Sequence, residues 1–307
     1  MEKSEIRKSY FLNKYVVITP SRKKRPRDIK ETTIIKRTGE CVFCPKNVKK
    51  NNVIVKKFGK KEKIWDILVI KNKYPAVTMD NKLAYGYQEV IIETPDHAEV
   101  LAQFSVNRID KLLRVYADRT KKITEKKSIE YILVFKNEGS KAGASVVHDH
   151  SQIFATSILP HNIYEELKLA KKYKIKNKSC PYCDIIKQEM KGPRKIFEDK
   201  YIAAFAPYAS RYHYEAWIFT KRHIDNITKL NSDEFKSFAK TLKLILSKLY
   251  KFNLSYNYFM HQVISDQDQH FYCKIQPRDS IWAGIELGSG LVINSISPET
   301  AAEFYKK

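Results

Sequence analysis

The sequence has no long apolar run. Across its 307 residues, no apolar stretch approaches the roughly 18 residues that a membrane-spanning helix requires, which excludes an integral membrane protein. Residues 1–10 also lack the apolar core of a secretory signal, so we expect a cytoplasmic protein with no membrane partner. Hydrophobic residues still make up 43% of the chain, which suffices for a packed core and excludes a disordered or fibrous chain.

Acidic residues are scarce, with 34 against 57 basic residues and a formal net charge of +23. The basic residues comprise 45 lysines and only 12 arginines, and the lysines are spread along the whole chain. This distribution is typical of a solvated basic surface and does not mark out one nucleic-acid interface. Charge therefore leaves the function open and disfavours a nucleic-acid partner.

Cysteine is rare as well, but four of the five cysteines form two pairs. Cys41 and Cys44 enclose two residues, and so do Cys180 and Cys183. Such pairs serve as redox dithiols, disulfides or metal-binding knuckles, and a cytosolic chain without a thioredoxin-like context favours the metal. The fifth cysteine, Cys273, is expected to be a small buried residue.

The two halves of the chain repeat the same order of signals. Each cysteine pair is followed by strand-like runs, a long amphipathic helix and a histidine. The equivalent positions are Cys41 with Cys180, His97 with His223, and His148 with His270, at offsets of 139, 126 and 122 residues. A few loop deletions would produce this drift, so the pattern indicates an internal duplication.

Each half also supplies one complete set of zinc ligands. A structural zinc ion takes four cysteine or histidine ligands in a closed tetrahedron. The two sets are Cys41, Cys44, His97 and His148, and Cys180, Cys183, His223 and His270. The histidines lie too far along the chain from the cysteines for a classical nucleic-acid finger. We therefore predict two structural zinc sites with no direct catalytic task.

Hydrophobic periodicity predicts an α+β fold. Helical spacing marks one amphipathic helix around Ile109–Tyr116 and another around Phe235–Leu249. Runs rich in β-branched and aromatic residues predict strands at 65–71, 131–135, 150–156, 256–264 and 291–296. We expect two domains, 1–172 and 173–307, each an antiparallel sheet with a long packing helix. The lysine-rich stretch 171–179 is expected to join them.

The densest chemistry lies in residues 135–156, which read FKNEGSKAGASVVHDHSQIFAT. A strand leads into a glycine-containing loop with a hydroxyl at Ser145, and a second strand follows. Small loop residues let backbone amides approach an anion such as a nucleotide phosphate. Strand alternation places His148, His150 and Gln152 on one face of the second strand and the residues between them on the other.

With these residues, the chain resembles the galactose-1-phosphate uridylyltransferase branch of the histidine-triad superfamily, which includes ADP-glucose phosphorylases. The resemblance extends from VVITPSRKKRP near the start, through the cysteine pairs and the His-x-His-x-Gln strand, to WAGIELGSGLVIN near the end. It implies tandem duplicated histidine-triad-like domains. It also implies ping-pong transfer between a nucleotide sugar and a sugar 1-phosphate through a nucleotidyl-histidine. We expect a homodimer.

The resemblance assigns a role to individual residues. His150 is the nucleophile, and Gln152 hydrogen-bonds the nucleotidyl phosphate. The substrate-binding positions are Ser145 for the phosphoryl group, Asn137 and Asn72 for the nucleotide, Arg22 and Arg25 for substrate phosphates, and Glu286 for sugar hydroxyls. Lys73 follows Asn72 where the family usually has aspartate.

The second half lacks the reactive residues. Its counterpart of His150 is Tyr272, and its counterpart of Gln152 is Lys274, so only the first half is expected to carry the chemistry. The other histidines, which are His161, His213 and His261, are expected to be packing or surface residues.

These inferences favour a uridylyltransferase that exchanges UMP between UDP-glucose and a hexose 1-phosphate, galactose 1-phosphate in the leading hypothesis. An enzymatic alternative is a nucleotide-sugar phosphorylase or adenylyltransferase similar to ADP-glucose phosphorylase, with inorganic phosphate as the acceptor. A basic two-zinc nucleic-acid-binding protein is the third hypothesis, and the intact His150 and Gln152 argue against it.

Overall fold

The structure is a computed structural model, and it describes residues 3–24, 40–59, 65–264, 266 and 268–307. The strands are β1 (Glu5–Lys8), β2 (Tyr15–Ile18), β3 (Ile54–Phe58), β4 (Ile67–Lys71), β5 (Gly86–Ile92), β6 (Tyr131–Glu138), β7 (His150–Thr156), β8 (Lys195–Glu198), β9 (Ile202–Phe205), β10 (Ala216–Thr220), β11 (Tyr256–His261), β12 (Tyr272–Pro277) and β13 (Val292–Asn294). The helices are α1 (Pro45–Asn51), α2 (Val106–Thr124), α3 (His161–Asn177), α4 (Pro181–Glu189), α5 (Ser232–Lys251), α6 (Gly284–Ser289) and α7 (Pro298–Lys306).

Ten strands form one antiparallel sheet in the order β3-β4-β5-β7-β6-β11-β12-β10-β9-β8. The first half contributes the first five strands and the second half contributes the last five, in mirrored order. At the centre, β6 pairs with β11 across the repeats, with Tyr258 opposite Lys136. The expected α+β class with antiparallel strands is confirmed. The two expected sheets are joined into one, because β6 and β11 satisfy each other's edge hydrogen bonds.

Strand register defines which residues of the two repeats are equivalent. In β7, Gln152 lies between Val90 and Phe135, and in β12, Lys274 lies between Trp217 and Phe259. Two residues before Gln152, His150 is opposite Ile92. Two residues before Lys274, Tyr272 is opposite Phe219. The register thus yields the counterparts predicted from the sequence, Tyr272 for His150 and Lys274 for Gln152.

The long helices α2 and α5 pack on one face of the sheet. Their apolar stripes, which include Leu112 and Tyr116 in α2 and Phe238 and Leu242 in α5, are buried in a core shared by both repeats. Both helices begin at side-chain caps: Ser105 accepts the Arg108 N–H, and Asn231 forms a capping box with Glu234. The positions predicted from helical spacing are therefore the ones that face the core.

The opposite face of the sheet is covered differently in the two repeats. In the first repeat, the segment around Phe43 and Val48 packs on β4 and β5. In the second repeat, α3 and α4 pack on β9, β10 and β12. Helix α3 contains the predicted domain boundary at 172/173, which stays a prediction.

A small second sheet lies beside the large one. In it, β2 pairs antiparallel with β1 and parallel with β13. The predicted strand at 291–296 is thus shortened to Val292–Asn294, and the one at 256–264 ends at His261. Among the described residues, no helix is long and apolar enough to cross a membrane.

Candidate active site and metal centres

Four side chains of the first repeat converge next to the start of β7. The Nδ1 atom of His148 lies 3.7 Å from the Cys41 sulfur and 3.6 Å from the Cys44 sulfur, and the Nδ1 atom of His97 lies 3.4 Å from the Cys44 sulfur. Around a tetrahedral zinc ion, with Zn–S near 2.3 Å and Zn–N near 2.05 Å, sulfur and nitrogen ligands are about 3.6 Å apart. The spacing therefore fits one tetrahedral metal ion.

The second repeat forms an equivalent cluster next to the start of β12. The Cys183 sulfur lies 3.7 Å from Nδ1 of His223 and 3.7 Å from Nδ1 of His270. Cys180 completes this set, and in each cluster the ligand atoms lie within 4.8 Å of one another. The structure thus assembles both predicted Cys2His2 sets, and each one can hold a metal ion.

A backbone carbonyl orients one histidine in each cluster. The Nε2 atom of His148 lies 2.8 Å from the Thr94 carbonyl oxygen, and Nε2 of His270 lies 2.7 Å from that of Thr220. Donation from Nε2–H leaves Nδ1 free to bind the metal. The sequence analysis missed both threonines, although each precedes a histidine ligand by three residues, in TPDH and in TKRH.

His150 and Gln152 face a cavity of about 270 Å³ in the first repeat. Asn72 and Ser145 line the same cavity, and the Asn72 amide nitrogen lies 3.5 Å from the Gln152 amide oxygen. The structure therefore brings together four of the residues that the resemblance assigned to catalysis and substrate binding. The predicted alternation of β7 places Asp149 on the opposite, helix-covered side, where it is buried.

The environment of His150 leaves one ring nitrogen available for attack. Its Nδ1–H donates to the His148 carbonyl oxygen at 2.9 Å, so Nε2 carries the lone pair. Burial, reinforced by the positive charge of Lys136, lowers the pKa of His150 to about 4. The imidazole is therefore neutral near pH 7, which is the form that a nucleophile requires.

The other predicted substrate residues lie elsewhere in the chain. Asn137 lies on the same sheet face as Gln152, because it is two residues beyond Phe135, which is opposite Gln152. The side-chain oxygen of Asn137 accepts a hydrogen bond from the Asn257 amide at 2.8 Å. The Glu286 carboxylate accepts the backbone N–H groups of Ala283 and Ile293. Neither Arg22 nor Glu286 lines the cavity.

Partial burial works to raise the pKa of Glu286, but the backbone donors and then Arg22 hold it below its usual value. The carboxylate is thus charged and hydrogen-bonded to backbone groups near α6 of its own chain. Arg25, the other predicted phosphate-binding arginine, lies outside the described residues.

A charged network that the sequence analysis missed lies directly behind β7. Lys136 is fully buried, and its Nζ donates to Asp149, to Glu93 at 3.0 Å and to the His150 carbonyl oxygen at 3.2 Å. Burial raises the pKa of Glu93 to about 8, against the opposing effect of Lys136. The cation thus contacts the backbone of His150, the predicted nucleophile, from the side opposite the cavity.

The same positions of the second repeat carry no charge. In the first repeat the Tyr116 hydroxyl extends the network, since it lies 3.1 Å from a Glu93 carboxylate oxygen and 2.8 Å from the Ser151 hydroxyl. Register and helix alignment pair Lys136 with Met260, Asp149 with Phe271, Ser151 with Cys273 and Tyr116 with Leu242. All four counterparts are fully buried. A lysine inside the apolar strand YILVFKNE and an aspartate between two histidines are the sequence signals that could have revealed this network.

Comparisons with known proteins identify relatives over nearly the whole chain. The family model described as "Galactose-1-phosphate uridyl transferase, N-terminal domain" matches residues 1–160. The galactose-1-phosphate uridylyltransferase of Thermotoga maritima is 27% identical, covering 97% of this chain and 96% of the relative. The ADP-glucose phosphorylase of Arabidopsis thaliana is 29% identical, covering 99% of this chain and 92% of the relative.

Solved structures show the same relationship. An Arabidopsis thaliana ADP-glucose phosphorylase with bound ADP-glucose superposes with a TM-score of 0.88 at 28% identity, covering 99% of both chains. A structure described as uridylyltransferase superposes with a TM-score of 0.76 at 27% identity, covering 99% of this chain and 97% of the other. Since the family model spans just over half of the sequence, the chain belongs to the galactose-1-phosphate uridyl transferase family.

Proposed function

We propose that this protein is a nucleotidylyltransferase that moves UMP from UDP-glucose to a hexose 1-phosphate, galactose 1-phosphate in the first instance. The observation that carries this proposal is the geometry of His150, whose Nε2 lone pair is free while Nδ1–H is bonded to the His148 carbonyl. Its cavity also contains the Gln152 amide and the Ser145 hydroxyl, two groups able to hydrogen-bond a phosphate.

The reaction proceeds in two balanced steps. The Nε2 lone pair of His150 attacks the α-phosphorus of the nucleotide sugar, so an N–P bond forms and the P–O bond to the departing sugar 1-phosphate breaks. The leaving group is already an anion and needs no proton. The His148 carbonyl stabilises the positive charge that the ring acquires. A phosphate oxygen of the second sugar phosphate then attacks the same phosphorus and releases His150.

A phosphorylase is the second candidate function. The similarity to the Arabidopsis thaliana ADP-glucose phosphorylase, at a TM-score of 0.88, favours it. The two candidates share the first step and differ in the nucleotide and in the acceptor, because a phosphorylase accepts inorganic phosphate in place of a sugar 1-phosphate. The nucleotidyl-His150 intermediate is therefore common to both, and the compound that discharges it separates them.

We propose that both Cys2His2 clusters hold zinc and that their role is structural. Each set has four protein ligands, which closes a tetrahedral site and leaves no position for a reacting water. Bound zinc would join the segment before α1 to β7, which follows His148, and the start of α4 to β12, which follows His270. We also propose a cytoplasmic location, where cysteine thiols stay reduced and available to metal.

We propose that a second copy of the chain completes each catalytic cavity. Arg22 and Glu286 match substrate-binding residues of the family but do not line the cavity of their own chain. Helix α6, which carries Glu286, has no buried residue, and Ile285 and Leu287 on it are 49% and 74% exposed. An exposed apolar helix beside a charged substrate-binding residue fits a homodimer contact.

The first prediction tests the nucleophile. His150→Gly removes the attacking nitrogen, so exchange should fall by about 10³-fold or more, and no nucleotide should remain bound to the protein. The assay incubates the protein with nucleotide sugars labelled in the α-phosphate and measures protein-bound label. His161→Ala, at an exposed histidine, is the control and should behave like wild type. Labelling of the His150→Gly protein at the wild-type rate would refute the assignment.

The same labelled intermediate identifies the acceptor. We expect galactose 1-phosphate to discharge it faster than inorganic phosphate at equal millimolar concentration. Faster discharge by inorganic phosphate would replace the transferase with the phosphorylase. The nucleotide sugar that labels the protein would identify the base.

The second prediction concerns the charged network behind β7. Lys136→Met introduces the residue found at the equivalent position of the second repeat and leaves Glu93 and Asp149 without their buried cation. The free energy of unfolding should fall by about 3–5 kcal/mol, measured by denaturant titration. Lys121→Met, at an exposed position of α2, is the control and should change it by less than about 0.5 kcal/mol. Equal effects of both changes would contradict a stabilising network.

The third prediction concerns the metal. Metal analysis should find about two zinc ions per chain, and Cys41→Ser and Cys180→Ser should each remove one of them. Cys273→Ser is the matched control, because this cysteine is buried outside both clusters, and it should keep both ions. Fewer than one zinc ion per chain in wild-type protein would contradict the paired-site proposal.

The fourth prediction tests the shared site. Glu286→Ala should lower hexose 1-phosphate turnover by about 10- to 150-fold, since hydrogen bonds to a charged group contribute about 1.5–3 kcal/mol. Mixing subunits of Glu286→Ala with subunits of His150→Gly should restore activity, because half of the cavities in a mixed dimer contain both intact residues. Mixed dimers no more active than the two parent proteins would show that each chain supplies its own Glu286.

A further inference from the structure

A carboxylate from α3 occupies the second repeat at the place equivalent to the catalytic centre of the first. Glu166 is only 5% exposed. The Tyr272 hydroxyl donates to one of its oxygens at 3.2 Å, Nε2 of His261 lies 3.3 Å from that oxygen, and Lys274 Nζ lies 3.5 Å from the other. Three side chains from β11 and β12 therefore converge on one anion.

These three side chains are the counterparts of three residues that the resemblance assigns to nucleotidyl transfer in the first repeat, namely a nucleophile, a phosphate-binding amide and a nucleotide-binding amide. Tyr272 is equivalent to His150 and Lys274 to Gln152. Phe259 is equivalent to Phe135, so His261, two residues further along, is equivalent to Asn137. The Glu166 carboxylate thus lies where a phosphate would lie if the second repeat bound one as the first is proposed to do.

Each of the three groups offers a hydrogen-bond donor to this carboxylate. The Gln269 amide donates to Nδ1 of His261 at 3.2 Å, which leaves the ring hydrogen on Nε2, facing Glu166. Burial lowers the pKa of His261 to about 3, so the ring is a neutral donor. Lys274 supplies the balancing positive charge. One cation and two neutral donors around an oxyanion are the groups that also suit a phosphate.

A cavity of about 480 Å³ adjoins Glu166 and leads to it from outside. Its walls include Trp217 and two further cations, Lys14 and Arg211. Arg211 has a buried Nε without a hydrogen-bond partner among the described residues. Burial, and then the charges of Arg211 and Lys274, lower the pKa of Lys14. The carboxylates of Glu166 and Glu215 line the cavity as well. Without the Glu166 carboxylate, the three cations would face one carboxylate, which favours an anion.

We propose that the second repeat retains a phosphate-binding site and that the Glu166 carboxylate fills it, which restricts nucleotide binding to the first repeat. This inference rests on the proposed function, because His150 and Gln152 are assigned to phosphate there. Glu166 acts as an internal substitute for the ligand. Removing its carboxylate should leave a positively charged, donor-lined space open to inorganic phosphate.

The test measures thermal unfolding in inorganic phosphate and in chloride at equal ionic strength. Glu166→Ala should be stabilised by phosphate in a saturable manner, by roughly 2–5 °C beyond the shift of wild type, as expected for a ligand that binds only the folded state. Glu165→Ala, on the same helix with a partly exposed carboxylate, is the matched control and should respond like wild type. Equal responses of the two variants would overturn the proposal.

A double variant tests the role of the cation. Glu166→Ala/Lys274→Met removes both charges, so the extra phosphate stabilisation seen in the single variant should disappear. If it persists, phosphate binds elsewhere and the proposal is wrong.

A second variant covers the case in which Glu166→Ala does not fold. Glu166→Ser keeps a hydroxyl near Tyr272 and Lys274, and it should refold in higher yield in phosphate than in chloride. An equal refolding yield in phosphate and in chloride would overturn the proposal, and so would a failure to refold in either salt. Labelling of His150 by nucleotide sugar is measured separately in each variant that folds. It should be unaffected, so a failure of the proposed catalytic function is recognised independently of a failure at Glu166.

Discussion

In β7 each successive side chain points to the opposite face of the sheet, and the remaining features of the catalytic repeat depend on this alternation. His150 and Gln152 face the cavity, while Asp149 and Ser151 face the helix-covered core. A buried cation behind the strand can then contact the His150 carbonyl without obstructing substrate. Because β7 is paired on both sides, by β5 and β6, it cannot shift its register without breaking both ladders.

The metal clusters and the reactive strand are adjacent for a chemical reason. His148 contributes Nδ1 to the first cluster, and its carbonyl oxygen accepts the Nδ1–H of His150. One residue therefore links the Cys2His2 cluster to the tautomer of the proposed nucleophile. The second cluster has the same design around His270, but Tyr272 follows there. Both repeats thus have the Cys2His2 cluster, and one of them has the proposed nucleophile.

The two repeats also differ in where they bury charged side chains. Buried charges are costly, and apolar replacements of similar volume are often neutral or stabilising. The second repeat contains such a set, with Met260 at the position of Lys136 and Phe271 at that of Asp149. On the opposite face the pattern reverses: Glu166 and Lys274 form an ion pair next to Tyr272, whereas His150 faces an open cavity. The first repeat therefore buries charge on the face covered by α2 and α5, where the second repeat is apolar. The second repeat buries charge on the opposite face, where the first repeat has a cavity.

The sequence alone predicted the elements that repeat and the residues with strict spacing. The cysteine pairs, the four histidine ligands, the strand at 150–156 and the stripes of α2 and α5 could be found because ligand chemistry and side-chain periodicity are local properties. The roles assigned to His150 and Gln152 came from the family resemblance. Both residues line one cavity, and their roles stay predictions.

Other features were decided only by the tertiary structure. The union of the repeats into one sheet depends on β6 pairing with β11, which lies more than 100 residues away along the chain. The Lys136 network and the position of Glu166 depend on contacts between distant elements, and no single segment specifies the partner of either residue. Arg22 and Glu286 match the family in sequence, yet they lie away from their own cavity, because a motif specifies a residue type and the folded chain specifies its neighbours.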